Sequence, residues 1–329
     1  MIGTRGHHGI VLRELAALPA VDLVAAASGG EGDSTAAITE WCGKNDRAPT
    51  MFDNWREMLD AVKPDAAVVC GPFELHAEMI SAAMQRGIHV FAEKPCALTF
   101  DDLAAIRQCA EAHPAIHLAA MMQSRYDPGF YTAWRLIGEG AIGEVRLINA
   151  RKAYKRGQRA DYYRNRQTYG GTIPWVGSHA IDWMLWFAGV RPESVTAAQS
   201  RMHNGGIGTM ESSAACLFRL AGERIGTVSI DVLRPENATT HGDDWIRAVG
   251  SAGVIEARPD RITLINAGND GTLPVAVACD RKPFADFIQH IRGERNAIIG
   301  APETINLTEA LLLAQQSADE QREVYFPQQ

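Results

Sequence analysis

Short apolar runs alternate with stretches of helical periodicity over the first third of the chain. Residues 22–27, 65–70, 88–92 and 117–121 read as strands, and 10–18, 36–44, 55–62, 73–86 and 100–113 as helices. Gly87 sits where a C-cap glycine ends the fourth of these helices, and Thr99 is placed to cap the fifth. A βαβα order of this kind predicts a doubly wound parallel sheet. Beyond residue 124 the pattern changes. Residues 143–153, 194–203, 212–220, 225–233, 245–249 and 261–265 are strand-like and joined mainly by turns, which predicts a largely antiparallel sheet. Helices are expected at 283–291 and 307–323. The expectation is therefore α/β, with a parallel-sheet domain over 1–122 and an α+β domain with a large antiparallel sheet over 123–329. Only Met1 and Ile2 precede Gly3, so the first strand of the parallel sheet is expected to be nearly absent.

Composition narrows the class without naming a function. Of 329 residues, 46% are hydrophobic and 22% charged, with a net charge of −7, the profile of an ordinary soluble globular protein. That charge gives no electrostatic footprint for nucleic acid. No apolar run is long enough to span a bilayer, and the N-terminus lacks the order of a signal peptide, so a cytoplasmic protein is expected. Cys42, Cys70, Cys96, Cys109, Cys216 and Cys279 lack metal-like spacing and are expected to be reduced thiols, with no metal bound.

Two constellations carry chemistry. The first lies at the carboxyl edge of the expected parallel sheet, where open α/β sheets bind ligands. Glu93-Lys94-Pro95 ends the strand at 88–92, and a lysine there suits proton chemistry. The opening Gly3-Thr4-Arg5-Gly6-His7-His8-Gly9 is a glycine-rich turn before a helix, a form that brings backbone N–H groups to a pyrophosphate, although it does not match G-x-G-x-x-G. Ser28-Gly29-Gly30-Glu31 follows the second strand. Ser28 would suit a 2′-phosphate and Glu31 a ribose, so NAD and NADP both remain open. Gly71-Pro72 and His76 form a further turn at the same edge. Cys96 reads as a buried, inert thiol.

The second constellation is Gly170 to Asp182. Its two glycines permit close approach of backbone to a ligand, and Ser178 is placed to cap a helix ending at Gly189. His179, Asp182, Trp183 and Trp186 share a face of that helix, so Asp182 is positioned to orient His179. Trp183 and Trp186 read as core. Between Arg151 and Arg166 seven cations stand against one acid, Asp161, and with Tyr154, Tyr162 and Tyr163 they read either as a solvated edge or as a clamp for a carboxylate or phosphate. His241, Asp243 and Asp244 read as a surface turn.

Together, the glycine-rich opening, Gly71-Pro72…His76, Glu93-Lys94-Pro95, Gly140-Ala141-Ile142-Gly143-Glu144-Val145 and Gly170-Gly171…His179…Asp182 resemble the Gfo/Idh/MocA oxidoreductases over nearly the whole chain. The resemblance implies a Rossmann domain binding NAD(P), and hydride transfer to or from a sugar, polyol or related hydroxy compound. It also implies a homodimer or homotetramer built through the C-terminal sheet. It makes Lys94 and His179 catalytic, with Asp182 in support. Gly3, Thr4, Gly6, His7, Ser28, Gly71, Pro72, His76, Glu93, Lys94 and Pro95 fall on the cofactor side, and Lys94, Arg125, Tyr154, Trp175 and His179 on the substrate side. The family's usual acid four residues before the histidine is here Trp175, whose indole N–H only donates. That departure leaves two alternatives: a redox-silent regulatory protein, or an enzyme using resident NAD without net redox change.

Overall fold

The computed structural model describes residues 1–272 and 275–327. It divides into two compact units, Met1–Met121 with Arg281–Thr308, and Met122–Asp280 with the chain from Glu309 onward.

The first unit alternates helix and strand: α1 (His8–Leu15), β1 (Ala25–Ala27), α2 (Ala36–Asn45), β2 (Thr50–Phe52), α3 (Trp55–Val62), β3 (Ala66–Val69), α4 (His76–Gln85), β4 (His89–Ala92), α5 (Phe100–Ala112) and β5 (Leu118–Ala120). All strand pairs are parallel. Ile2 bridges Ala27 on one side and Val69 on the other, so the sheet reads β2-β1-Ile2-β3-β4-β5. The short first strand is thus centred on a single residue: Met1 O and Gly3 N–H bond to Ala27 of β1 (3.0 and 2.9 Å), and Ile2 itself bonds on the β3 side. Its N–H donates to Val68 O (2.8 Å), and its carbonyl accepts from Cys70 N–H (2.7 Å). Strand order reverses at this point, which places the turns after Ile2, β1, β3 and β4 along one edge. Thr99 caps α5 as expected, accepting from Asp102 N–H (3.1 Å).

The second unit contains α6 (Pro128–Gly138), β6 (Val145–Ala153), α7 (Arg166–Tyr169), α8 (Thr172–Trp175), α9 (Ser178–Ala188), β7 (Pro192–Ser200), β8 (Ser213–Leu220), β9 (Arg224–Asp231), β10 (Trp245–Gly250), β11 (Gly253–Arg258), β12 (Arg261–Asn266) and β13 (Asn269–Asp270). The chain then forms α10 (Pro283–Ile291), α11 (Ala301–Glu320) and β14 (Val324–Tyr325). The sheet runs β13-β12-β11-β10-β6-β9-β8-β7-β14, antiparallel except for β6 beside β9. Burial alternates along β8 and β9: Phe218, Val228 and Ile230 are buried, with α9 packed on β9, while Leu217 and Ile225 are exposed on the other face.

One expectation needs correction. The closing helices, expected in the second domain, divide instead: α10 and the start of α11 belong to the first unit. Phe284 and Phe287 pack on Phe91 of β4 with ring centroids 5.6 and 5.3 Å apart. No side chain at Lys282 caps α10; the Glu14 carboxylate does so from α1, accepting from the N–H groups of Phe284 (3.0 Å) and Ala285 (2.9 Å). Thr304 Oγ1 accepts from Ala120 N–H (3.0 Å). Among the described residues no helix is long and apolar enough to cross a membrane.

Candidate active site

In the first unit, the chain passes from Ile2 into the turn Gly3–His7 and then into α1. Gly3 and Gly6 have φ of +73° and +66°. A Cβ on Gly3 would stand 2.6 Å from the Cα of Gly71, and one on Gly6 would stand 2.6 Å from the carboxyl carbon of Glu93. Only glycine permits so close an approach. Glu93 is fully buried. Its carboxylate accepts from the His7 backbone N–H (3.1 Å) and from His7 Nδ1 (2.9 Å). Burial alone would raise its pKa, but His7 and Lys94 outweigh burial and hold it below the ordinary carboxylate range. Glu93 therefore grips the glycine turn from beneath.

Lys94 follows, 4% exposed, and joins Pro95 through a cis peptide bond. The carbonyl of Pro95 lies 2.8 Å from His76 Nδ1, and the carbonyl of Gly71 lies 3.0 Å from His76 Nε2. One buried imidazole thus ties the Gly71-Pro72 turn to the Lys94-Pro95 turn. Burial lowers the pKa of His76, against the opposite pull of Pro95 O, Glu93 and Gly71 O. Cys96 is inert as expected, its thiol pushed up to about 12 by burial.

The turn after β1 differs from expectation. Ser28 Oγ is engaged locally, donating to Gly30 O (3.0 Å) and accepting from Gly30 N–H (3.2 Å), and Glu31 is exposed. The carboxylate that stands in the turn is Asp33, which accepts from Gly29 N–H (2.8 Å) and lies beside Gly3. Thr4 Oγ1 donates to Ser34 O (2.6 Å) and fastens the two loops together. A glycine cradle that a Cβ would fill, N–H groups at the start of α1 and a carboxylate after β1 form the donor and acceptor set a dinucleotide requires. The pyrophosphate would lie on Gly3–His7 and the ribose hydroxyls on Asp33.

In the second unit, the turn Gln123–Tyr126 meets the predicted face of α9, although the pairings differ from those expected. Asp182 does not orient His179. Its carboxylate accepts a bidentate pair from Arg125, Nε to Oδ2 (2.8 Å) and Nη2 to Oδ1 (2.6 Å), with both side chains buried. Arg125 also lies over Trp186, 5.0 Å from its centroid. Arg125, expected to contact substrate, is thus committed to an internal ion pair. Such a pair tolerates no partner loss, since an unpaired buried charge costs about 3–5 kcal/mol. His179 is instead held by Ser124, whose Oγ lies 2.9 Å from His179 Nδ1 and accepts from Trp183 Nε1 (3.0 Å). Gln123 Nε2 lies 3.4 Å from His179 Nε2. Ser124 and Gln123 are not among the residues expected at the site. Their signal was a polar pair just past a strand at the sheet edge.

The glycines before His179 serve packing. A Cβ on Gly171 would stand 2.5 Å from Gln315 Oε1, and Gly170 is the left-handed cap of α7. Ser178 does not cap α9. Gly177 occupies that position, and Ser178 Oγ donates to Trp175 O (3.0 Å). Trp175 is buried, 4.4 Å centroid to centroid from Tyr163 and 6.3 Å from Tyr154.

The 241–244 loop is not a bare surface turn. Asp243 pairs with Arg151 (2.8 Å), Arg258 (2.7 Å) and Arg234 (3.7 Å), and Asp244 pairs with Lys152 (2.5 Å). His241 stacks on Tyr154 at 5.4 Å. This loop answers much of the positive charge on β6.

Comparisons with known proteins agree with this geometry. Residues 1–120 match the family model described as an oxidoreductase family, NAD-binding Rossmann fold, and residues 130–256 match the GFO/IDH/MocA C-terminal domain. An oxidoreductase structure from Thermotoga maritima is 39% identical, with a TM-score of 0.93, covering 99% of this chain and 98% of that one. The inositol 2-dehydrogenase of Rhizobium meliloti is 27% identical over 240 residues, covering 70% of this chain and 67% of that protein. An uncharacterized oxidoreductase of Schizosaccharomyces pombe is 30% identical over 149 residues, and the match spans 45% of this chain and only 40% of that protein.

Asp127, at the N-cap of α6, gives a test of this polar surround. Burial pushes its pKa up from 3.8 to about 7, Lys152 opposes the shift and Asp244 adds to it. A carboxyl with a raised folded pKa holds a proton that the unfolded chain releases. Its contribution to stability therefore falls as pH rises from about 4 to about 7 and is constant above. Asp127→Asn is expected to be more stable than wild type by about 2–4 kcal/mol at pH 8 and nearly equal to it near pH 4, measured by urea unfolding. An equal difference at both pH values would contradict the assignment.

Proposed function

Because the chain belongs to the Gfo/Idh/MocA family of NAD-dependent oxidoreductases, we propose that it moves a hydride between NAD and a hydroxyl-bearing carbon of a sugar, polyol or sugar acid. The observation that carries this reading is the placement of Lys94. Its turn is fixed on one side by Glu93 gripping the glycine turn and on the other by His76 beside Pro95 O. A group so held keeps its geometry through turnover.

Bound NAD supplies the hydride acceptor; the rest of the chemistry belongs to the chain. Lys94 hydrogen-bonds the reacting oxygen and stabilises the negative charge that develops there. His179 takes the hydroxyl proton at Nε2. Trp183 donates to Ser124 Oγ; the Gln123 Nε2 amide, which can only donate, faces His179 Nε2, so the ring hydrogen sits on Nδ1 against Ser124 Oγ. That tautomer leaves the lone pair on Nε2, next to the Gln123 amide. Asp182 acts at one remove, by holding Arg125 in the turn that carries Ser124. Trp175 offers an apolar wall. It is also the observation that favours a second reading, a regulatory protein without turnover, because no base stands at that position.

Removing the ammonium separates the two. Lys94→Ala is expected to lower kcat by about 10²–10⁴-fold while leaving the Kd for NAD within a few-fold, measured by NADH absorbance on a polyol and sugar panel and by calorimetry. Full turnover by the variant would exclude Lys94 from the chemistry. Absence of turnover and of product in wild type with every panel member would favour the regulatory reading.

Asp33 bears on cofactor choice. Its carboxylate sits in the turn after β1, and Arg5, whose guanidinium lies near Gly32, pairs with Glu74 at 3.7 Å. A 2′-phosphate would add like charge against Asp33. NADH is expected to bind at least about tenfold more tightly than NADPH in a fluorescence titration. Equal affinities would contradict the role of Asp33.

A further inference from the structure

The cations from Arg151 to Arg166 are nearly all answered within the second unit. Arg151 and Lys152 pair with Asp243 and Asp244. Lys155 and Arg156 donate to the carbonyls of Glu236 (2.6 Å) and His203 (2.9 Å). Arg164 pairs with Asp161 (3.1 Å), and Arg166 with Glu211 and Asp319. Arg159 is different. Among the described residues no carboxylate pairs with it, and its Nε and Nη2 are buried with no hydrogen-bond acceptor. Its guanidinium instead lies over three rings, 4.9 Å from Trp175, 5.4 Å from Tyr154 and 5.6 Å from Tyr163.

Nε and Nη2 form the edge of the guanidinium that engages a carboxylate with two parallel hydrogen bonds. This protein uses that same edge elsewhere, where Arg125 grips Asp182. An aromatic wall holds the plane of Arg159, with a side-chain hydrogen bond to Tyr154, and leaves Nε and Nη2 without an acceptor, so that edge of the fork is pre-oriented. Buried donors left without acceptors are disfavoured in a finished core, and a ligand oxyanion satisfies both at once. The cluster also reaches the catalytic histidine through ring contacts. Lys152 Nζ lies 5.7 Å from both the Tyr154 and Trp183 rings, and Trp183 stacks on His179 at 6.2 Å.

We infer that Arg159, walled by Tyr154, Tyr163 and Trp175, is the anchor for an oxyanion on the substrate, so that the molecule oxidised is an acidic sugar, carrying a carboxylate or phosphate, rather than a neutral polyol. This names the substrate class of the hydride transfer proposed above and rests on that reading.

The test uses the full chain loaded with NAD and matched pairs of probes: glucose with glucuronate, galactose with galacturonate, and glucose 6-phosphate as the phosphate arm. Binding is read by thermal shift and turnover by absorbance at 340 nm, for wild type, Arg159→Gln and Arg159→Lys. In wild type the acidic members should stabilise the protein at concentrations about ten- to a hundredfold below their neutral counterparts. Arg159→Gln should abolish that preference, and Arg159→Lys should keep part of it. Stabilisation by uronates identifies the carboxylate, and stabilisation by glucose 6-phosphate alone identifies the phosphate. Equal binding of acidic and neutral members, no binding of any acid, or a preference that survives Arg159→Gln overturns the inference. If acids bind through Arg159 but no NADH forms, the anchor stands and the hydride reading fails. If neutral sugars are oxidised as well as acids, the hydride reading stands and the anchor fails.

Discussion

Glu93 is sealed from water and yet ionised, and its charge is answered by a turn 86 positions earlier in the chain. Most of what the first unit offers a ligand depends on that contact. The carboxylate holds the backbone N–H of His7 and lies so close to Gly6 that no side chain fits there. Glu93 also precedes Lys94, so the residue that shapes the dinucleotide turn fixes one end of the lysine turn. His76 fixes the other end and links it to Gly71. Cofactor geometry and lysine placement are consequently one mechanical problem, solved with a buried acid and a buried imidazole. Hydrogen bonds to a buried charged group are worth about 1.5–3 kcal/mol each, enough to order turns that have little other packing.

The second unit follows the same logic with different groups. Three consecutive residues of one short turn, Gln123, Ser124 and Arg125, meet His179, Asp182, Trp183 and Trp186 of α9. His179 is oriented by a neutral hydroxyl, while the carboxylate on its helix is spent on Arg125. Arg151 and Lys152 of the basic strand beside it are neutralised by the 241–244 loop, while Arg159 lies against the rings around it.

Much of the fold was legible because its signals are local. The helix at Trp55–Val62 and the helix at Pro283–Ile291 lie where periodicity places them, and Thr99 caps as its position suggests. What was not legible is long-range. That α10 belongs with β4 depends on Phe284 and Phe287 meeting Phe91 and on a cap supplied by Glu14, none of which leaves a mark on the spacing near residue 283. The strand at Gly253–Arg258 follows a two-residue turn and has no counterpart among the expected strands. At the site, the shared face of His179, Asp182, Trp183 and Trp186 followed from helical spacing, but the partner of each did not. Asp182 meets Arg125 because a turn more than fifty residues earlier lies against α9. Asp33 was passed over for Ser28 and Glu31 because the turn after β1 is longer than its glycines suggest, and Ser28 closes it locally.

The central claim is that the charge of Glu93 organises the nucleotide turn, and titration calorimetry with NAD on Glu93→Gln tests it most directly. The account predicts a Kd at least about tenfold weaker than wild type, with the chain still folded by circular dichroism, because the amide keeps the shape of the side chain and loses its charge. An unchanged Kd would show that the turn holds its form without the buried carboxylate and would contradict the account.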